Sequence, residues 1–180
     1  MKRVGLLTSG GDCQGLNTAL RGVAKALYVA EPDIVLIGFR DGYRGLIEND
    51  YSIMEPADFS GILTIGGTIL GTSRQPFKQM KHPADPDKPE GPSKLDCMLD
   101  TCKKMKLDCL VILGGNGTHK TAYLLQQNGV NVITLPKTID NDLVGTEMTF
   151  GFQSAISIAT AVIDSIHTTA TSHEIGRATC

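Results

Sequence analysis

Lys137, Asp140 and Asp142 fall within the segment LPKTIDNDLVGTEMTFG (135–151), directly after an apolar run. A cation and two carboxylates this close hold one another's charge states, an arrangement suited to phosphoryl transfer. Asp140 would take the proton from an attacking hydroxyl, and Asp142 would orient that hydroxyl or hold a magnesium ion. Thr138 would hydrogen-bond a phosphate. A solvated, Asx-rich turn capping the next helix would use the same residues for no chemistry at all. The segment alone leaves both readings open.

Two glycine-bearing turns supply what such a reaction needs on the donor side. TSGGDCQGLN (8–17) leads straight from an apolar stretch into a helical pattern, so that amides at Gly10 and Gly11 would face a phosphate at a helix N-terminus. LGGNGTHK (113–120) repeats the logic with Gly114, Gly115 and Gly117, and adds the Asn116 amide and the Thr118 hydroxyl. Glycines so dense cost conformational entropy unless the backbone demands them. Neither turn is GxGxxG or a P-loop with its GK[ST], and a tight capped turn is the alternative for each. Arg74 follows the flexible GGTILGTS (66–73), where a guanidinium would clamp a phosphate or lie over an aromatic face. In isolation it is one exposed arginine.

The elements that must position these turns alternate between strand and helix. RVGLLTS (3–9) reads as a buried strand, 15–30 as a helix with Leu16, Ala19, Leu20, Val23 and Leu27 at helical spacing, and DIVLIGF (33–39) as a second strand. RDGYRGL reads as a polar turn, 50–92 as irregular, and HPADPDKPEGP (82–92) as a proline-rich surface loop. Ser93 is placed to cap a helix over 93–107, and the strand DCLVILGG (108–115) follows. Next come a helix over 119–129 with Gly129 as its C-cap, and the strand VNVITLP (130–136). A long helix over 152–170 lines Ile156, Ala159, Ile163 and Ile166 along one face. The order predicts an α/β fold: a mostly parallel sheet with helices on both faces, in a Rossmann-like three-layer domain. Such sheets bind ligands at the carboxyl ends of their strands, where all three turns fall.

Composition narrows the class of partner. At 41% hydrophobic and 20% charged, the 180-residue chain is globular rather than disordered. A net charge of −2 argues against nucleic acid, which wants a basic excess, and leaves a small anionic ligand open. No stretch is long and apolar enough for a membrane-spanning helix, and the apolar part of MKRVGLL is too short for a signal peptide; no membrane partner is expected. Five cysteines without CxxC spacing point to reduced thiols in a cytoplasmic setting, not to a zinc knuckle or redox pair.

Taken together, LLTSGGDCQGLNTALRG, DGYRGL, GGTILGTSR, LVILGGNGT and LPKTIDNDLVGTEMTFGFQSAI resemble the 6-phosphofructokinase family, in order, over nearly all of residues 3–173. The resemblance implies a glycolytic kinase: Mg2+-dependent transfer of a phosphoryl group from ATP to the 1-hydroxyl of fructose 6-phosphate, giving fructose 1,6-bisphosphate. It implies that Asp140 is the general base, that Thr138 and Ile139 bind the sugar phosphate in the same turn, and that Asp142 supports the metal and the base. Gly10, Arg74, Gln75, Gly115, Asn116, Gly117 and Thr118 match the positions that hold the donor nucleotide. A homo-oligomer at full length is implied as well. Arg21 lies where some members bind an effector nucleotide; otherwise it is a solvated helix face.

Three departures shape what is expected. Asn116 stands where many members carry a magnesium-holding aspartate, and keeps an oxygen ligand without the charge. Donor choice rests on Gly117 and Lys137: pyrophosphate users tend to carry aspartate and lysine there, ATP users glycine at both, and this chain has one of each pattern. A side chain at 117 would block ATP whereas a lysine at 137 coexists with it, so ATP is expected and pyrophosphate is the alternative donor. Family chains also continue past SH to an MGR motif and a second domain, whereas TSHEIGRATC ends at Cys180. The expectation is a donor-side domain over 1–173, a truncated or non-native tail over 174–180, and no substrate-side domain. Such a fragment would be inactive alone, and its last long helix would lack packing partners. A non-catalytic nucleotide-binding regulatory module on the same scaffold is the alternative of another class.

Overall fold

Runs of leucine, isoleucine and valine with little polar interruption form strands buried on both faces, and Arg3–Thr8, Val35–Phe39 and Cys109–Gly114 are three such strands here. The computed structural model describes residues 1–173. In chain order its main elements are β1 (Arg3–Thr8), α1 (Leu16–Ala30), β2 (Val35–Phe39), α2 (Tyr43–Glu48), β3 (Tyr51–Met54), α3 (Lys94–Lys104), β4 (Cys109–Gly114), α4 (Asn116–Gln127), β5 (Val132–Thr138), β6 (Phe150–Gly151) and α5 (Phe152–Ser172). The sheet order is β3-β2-β1-β4-β5-β6. Every pairing is parallel except β2 with β3. The chain reverses direction across the sheet between β1 and β4, the switch point at which open α/β sheets leave a crevice.

Alternation along the strands feeds two cores. Leu6 and Leu36 face α1, where they bury Leu16, Leu20 and Ala24 together with Val111 and Leu113. Leu7, Ile37 and Ile112 face the opposite way, against Tyr43 and Leu46 of α2, Met98 of α3 and Leu125 of α4. The three-layer α/β architecture expected from the strand–helix alternation is thus present.

Local differences from expectation have identifiable causes. RDGYRGL is not a solvent turn: α2 begins at Tyr43, which is buried. Gly42 is there because its φ is 67° and a Cβ would sit 2.6 Å from the Thr8 carbonyl oxygen. β3 and β6 are too short for any periodicity to announce them. α4 starts at Asn116 rather than at 119, with Gly115 as its N-cap. β5 runs past Pro136 to Thr138 because Lys137 and Thr138 pair with Phe150 and Gly151. The Ser93 cap is present: its Oγ accepts from the Asp96 amide at 3.1 Å, and the Asp96 carboxylate accepts from the Ser93 amide at 3.1 Å. α4 ends with Asn128 as its C-cap rather than Gly129, which follows it with φ 87°. α5 buries no residue, and Ile156, Ile163 and Ile166 are exposed. No helix among the described residues is long and apolar enough to cross a membrane. The tail expected over 174–180 lies outside the described residues.

Candidate active site

The carboxyl ends of β1, β4 and β5 open into one cleft of about 510 Å³. Ser9 to Cys13, Gly115 to Thr118 and Lys137 to Asp140 line it, so the three turns do converge on one rim. The fourth wall is Arg74, Gln75, Pro76 and Phe77, from the segment between β3 and α3. Gly10, the 115–118 turn, Thr138, Ile139 and Asp140 therefore border a single cavity with Arg74 and Gln75. Asp142 does not line it. Asp142 borders a neighbouring cavity of about 350 Å³ with His119 and Thr146, and Asn116 contributes to both.

The 115–118 turn is the first turn of α4. An α-helix leaves its first amides without intrahelical partners, and here no side chain caps them. The amides of Asn116, Gly117 and Thr118 and the positive end of the helix dipole are thus available to an anion. Gly117 leaves open space, since a Cβ there would meet nothing within 4 Å. Gly114 is glycine for the opposite reason: its Cβ would fall 2.4 Å from Thr118 Cγ2. The buried Tyr43 hydroxyl donates to the Thr118 carbonyl at 2.8 Å, fixing the turn from beneath. Burial pushes that phenol well above the usual tyrosine range, so it stays a donor.

The first turn differs from what its sequence suggests. α1 begins only at Leu16, after Gly15, so Gly10 and Gly11 stand outside its first turn. The Gly10 amide donates to the Ser73 carbonyl at 3.2 Å, and the Gly10 carbonyl accepts from Thr72 Oγ1 at 2.7 Å. Gly10, with φ 95°, therefore fastens the segment that brings Arg74 to the cleft instead of pointing its own amide at a phosphate. A Cβ on Gly11 would come within 3.6 Å of Arg74 Nη2. Gln75 is held in turn by Lys94 Nζ at 2.9 Å.

Lys137 is not a free cation beside two carboxylates. It is only 5% exposed, and its ammonium donates to the Gly11 carbonyl, tying the third turn to the first. Burial pushes its pKa below the usual lysine range; Cys13 and Asp12 pull it back up and Arg74 pushes it further down. Burial also raises the Cys13 thiol. At the lip of the cleft, the Asp140 amide donates to Thr138 Oγ1 at 3.1 Å, and that hydroxyl donates to Asp140 Oδ2 at 3.3 Å. The carboxylate-bearing turn is exposed, as is Ile139. Arg21 donates to the Phe59 carbonyl, which commits it to a contact between α1 and the segment after β3. Asp12, Cys13, Pro76 and Phe77 also line the cleft without having been singled out. Their only signal in the sequence is adjacency to the glycine pair and to Arg74–Gln75.

Comparison with known proteins follows the same residues. The sequence model described as Phosphofructokinase matches residues 3–179. The chain belongs to the phosphofructokinase family. It is 59% identical over 170 residues to an ATP-dependent 6-phosphofructokinase of Spirochaeta thermophila, covering 94% of this chain and 46% of that protein. It is 53% identical over 175 residues to an ATP-dependent 6-phosphofructokinase of Propionibacterium freudenreichii, covering 95% of this chain and 44% of that protein. The fold is similar to that of phosphofructokinase from Saccharomyces cerevisiae, with a TM-score of 0.80 at 27% identity, over 96% of this chain and 25% of the yeast chain. The chain spans about half the length of the curated phosphofructokinase relatives it matches.

Proposed function

We propose that this chain is the donor-side half of a 6-phosphofructokinase, in which the terminal phosphoryl group of ATP passes to the 1-hydroxyl of fructose 6-phosphate. The observation that carries the reading is the meeting of the uncapped α4 N-terminus with Asp140 across one cleft. Phosphoryl transfer asks little covalent chemistry of a protein, so catalysis is positioning and charge stabilisation. Donor phosphates lie against the amides of residues 116–118, with the Arg74 guanidinium at the facing wall. Asp140 receives the proton of the attacking hydroxyl, and Thr138 and Ile139 border the acceptor. The open space over Gly117 admits a nucleotide's inner phosphate and supports ATP as donor.

The oxygen donors fit magnesium. Among the described residues no three acidic, histidine or cysteine side chains form a cage. Magnesium does not require one, since it takes one or two carboxylates together with substrate phosphates. Asn116 and Asp142 border the cavity that shares Asn116 with the cleft, and they would hold the ion. Bound there, it would neutralise charge on the donor phosphates. A cytoplasmic homo-oligomer at full length belongs to the same reading.

The buried Lys137 in the cleft wall supports a second reading, with pyrophosphate as donor. The deciding experiment compares ATP with pyrophosphate in the longest protein the reading frame encodes, as wild type and as Asp140→Asn. ATP-driven turnover is expected, falling roughly 10²- to 10⁴-fold in the variant with nucleotide affinity unchanged. Turnover with pyrophosphate alone selects the second reading. Nucleotide binding with no phosphorylation of fructose 6-phosphate in either protein would mean a regulatory module.

A further inference from the structure

The turn that carries Asp140 rests on little apolar packing, so polar contacts must hold it. Between β5 and β6 the chain leaves the sheet at Thr138 and returns at Phe150, anchored by the pairs Lys137–Phe150 and Thr138–Gly151. Ile139, Val144 and Met148 of this loop are all exposed. Resting on the phosphofructokinase reading, we infer that Asn141 and Thr149 form a clasp that positions the Asp140 carboxylate.

The clasp consists of hydrogen bonds on both sides of Asp140. Asn141 Oδ1 accepts from the Thr149 amide at 3.0 Å, and Asn141 Nδ2 donates to the Glu147 carbonyl at 3.2 Å. Thr149 Oγ1 donates to the Thr138 carbonyl at 2.7 Å. Thr149 is 3% exposed, in a loop whose other residues are open or half-buried. The residue before Asp140 by two and the residue after it by one are therefore both gripped by the end of the loop as it returns to β6. Thr138 in addition receives the Asp140 amide on its hydroxyl.

The residue types suit the task. Asparagine carries a donor and an acceptor on one short side chain, and both are used here. It also tolerates the left-handed backbone better than most residues, and φ at Asn141 is 52°. Aspartate in its place would keep the acceptor, lose the donor to Glu147 and crowd a third carboxylate between Asp140 and Asp142. Asn141 and Thr149 are positioning residues: they act on the reaction through the direction of the Asp140 turn.

Two variants separate backbone from clasp. Asn141→Gly leaves the left-handed conformation accessible but removes both amide contacts. Thr149→Val keeps the shape and removes the hydroxyl, while Thr149→Ser keeps every contact and should behave as wild type. In this chain, the ¹⁵N order parameter of the Asp140 amide should fall from about 0.85 to below about 0.6 in Asn141→Gly and in Thr149→Val. In the longest protein of the reading frame, kcat should fall roughly 100-fold in each, with KM for ATP unchanged. The double variant should be no slower than the single ones, because both remove one device. An unchanged Asp140 order parameter in both variants overturns the clasp, as does a multiplicative loss of kcat in the double variant. A wild type that never phosphorylates fructose 6-phosphate refutes the functional reading instead, and the order parameters still decide the clasp.

Discussion

The centre of the sheet and its β5–β6 edge feed one cleft but are built differently. Around β1 and β4 both faces are covered, and Leu6, Leu7, Ile112 and Leu113 are fully buried. At the β5–β6 edge, α5 buries nothing and Ile133 of β5 is 53% exposed. A buried leucine contributes about 1.5–3 kcal/mol, whereas a single hydrogen bond contributes about 0.5–1.5 kcal/mol net. The proposed cradle for the donor phosphates is thus preorganised by packing. The turn of the proposed base is held by a few polar contacts. On the proposed function, one active site would combine a rigid donor wall with a base whose placement is open to adjustment.

The largest expected effects break the comparison most directly. Leu113→Ala, in the covered half, should cost about 2–5 kcal/mol in urea unfolding. Ile163→Ala on α5, where the side chain is 55% exposed, should stay within about 0.5 kcal/mol. An equal loss at both sites would show that α5 is packed in solution, and the contrast would fail.

Glycine substitutions sharpen it next. Gly114→Ala drives a Cβ to 2.4 Å from Thr118 Cγ2 and should cost about 1–3 kcal/mol while weakening ATP binding, because the first turn of α4 must shift. Gly145→Ala meets no atom within 4 Å and pays only for its φ of 90°, about 1 kcal/mol, with ATP affinity unchanged. Isothermal titration with ATP beside urea unfolding reads both quantities.

Lys137 links the two regions, and its titration reports that link. Its folded pKa is depressed by burial, so the unfolded chain binds the proton more tightly. Relative to Lys137→Met, the wild type should therefore gain stability as pH rises from the depressed value toward 10.5. The gain amounts to about 1.4 kcal/mol for each unit of depression. A flat difference across that window would mean that the ammonium is solvated and does not join the turns.

What the sequence reveals follows the same division. The central strands and their flanking helices are legible because periodicity reports burial, and burial is what built the covered half. β3 and β6 are not legible: YSIM and FG are ordered by pairing to a neighbour, which no local pattern records. In RDGYRGL the glycines suggest a loop, yet a Cβ on Gly45 would lie 2.1 Å from the Arg40 carbonyl oxygen, so glycine there serves a close backbone approach. The three turns that line the cleft could be located by their composition. The direction of Lys137 could not, since a lysine near two aspartates reads as a free charge until the Gly11 carbonyl is found in its path. Asn141 reads as one more polar loop residue, because its role depends on where Thr149 returns.

The smallest effect tests whether the donor wall is as over-determined as its packing implies. Ser93 caps α3, and the next residue, Lys94, holds Gln75 at the cleft. Ser93→Ala should cost about 1 kcal/mol at pH 7. Hydrogen bonds from Ser93 hold the Asp96 carboxyl below its usual pKa of 3.8, so that part of the cap's stabilisation is present above 3.8 and is lost as pH falls through the depressed value. The difference between wild type and variant should accordingly shrink in acid. Yet ATP affinity should not move, because the start of α3 is also fixed by the Lys94 amide on the His82 carbonyl and the Leu95 amide on the Met80 carbonyl, both at 2.9 Å. A loss of ATP binding in this variant would mean that the donor wall, like the base's turn, hangs on single hydrogen bonds, and the distinction between the two halves of the cleft would disappear.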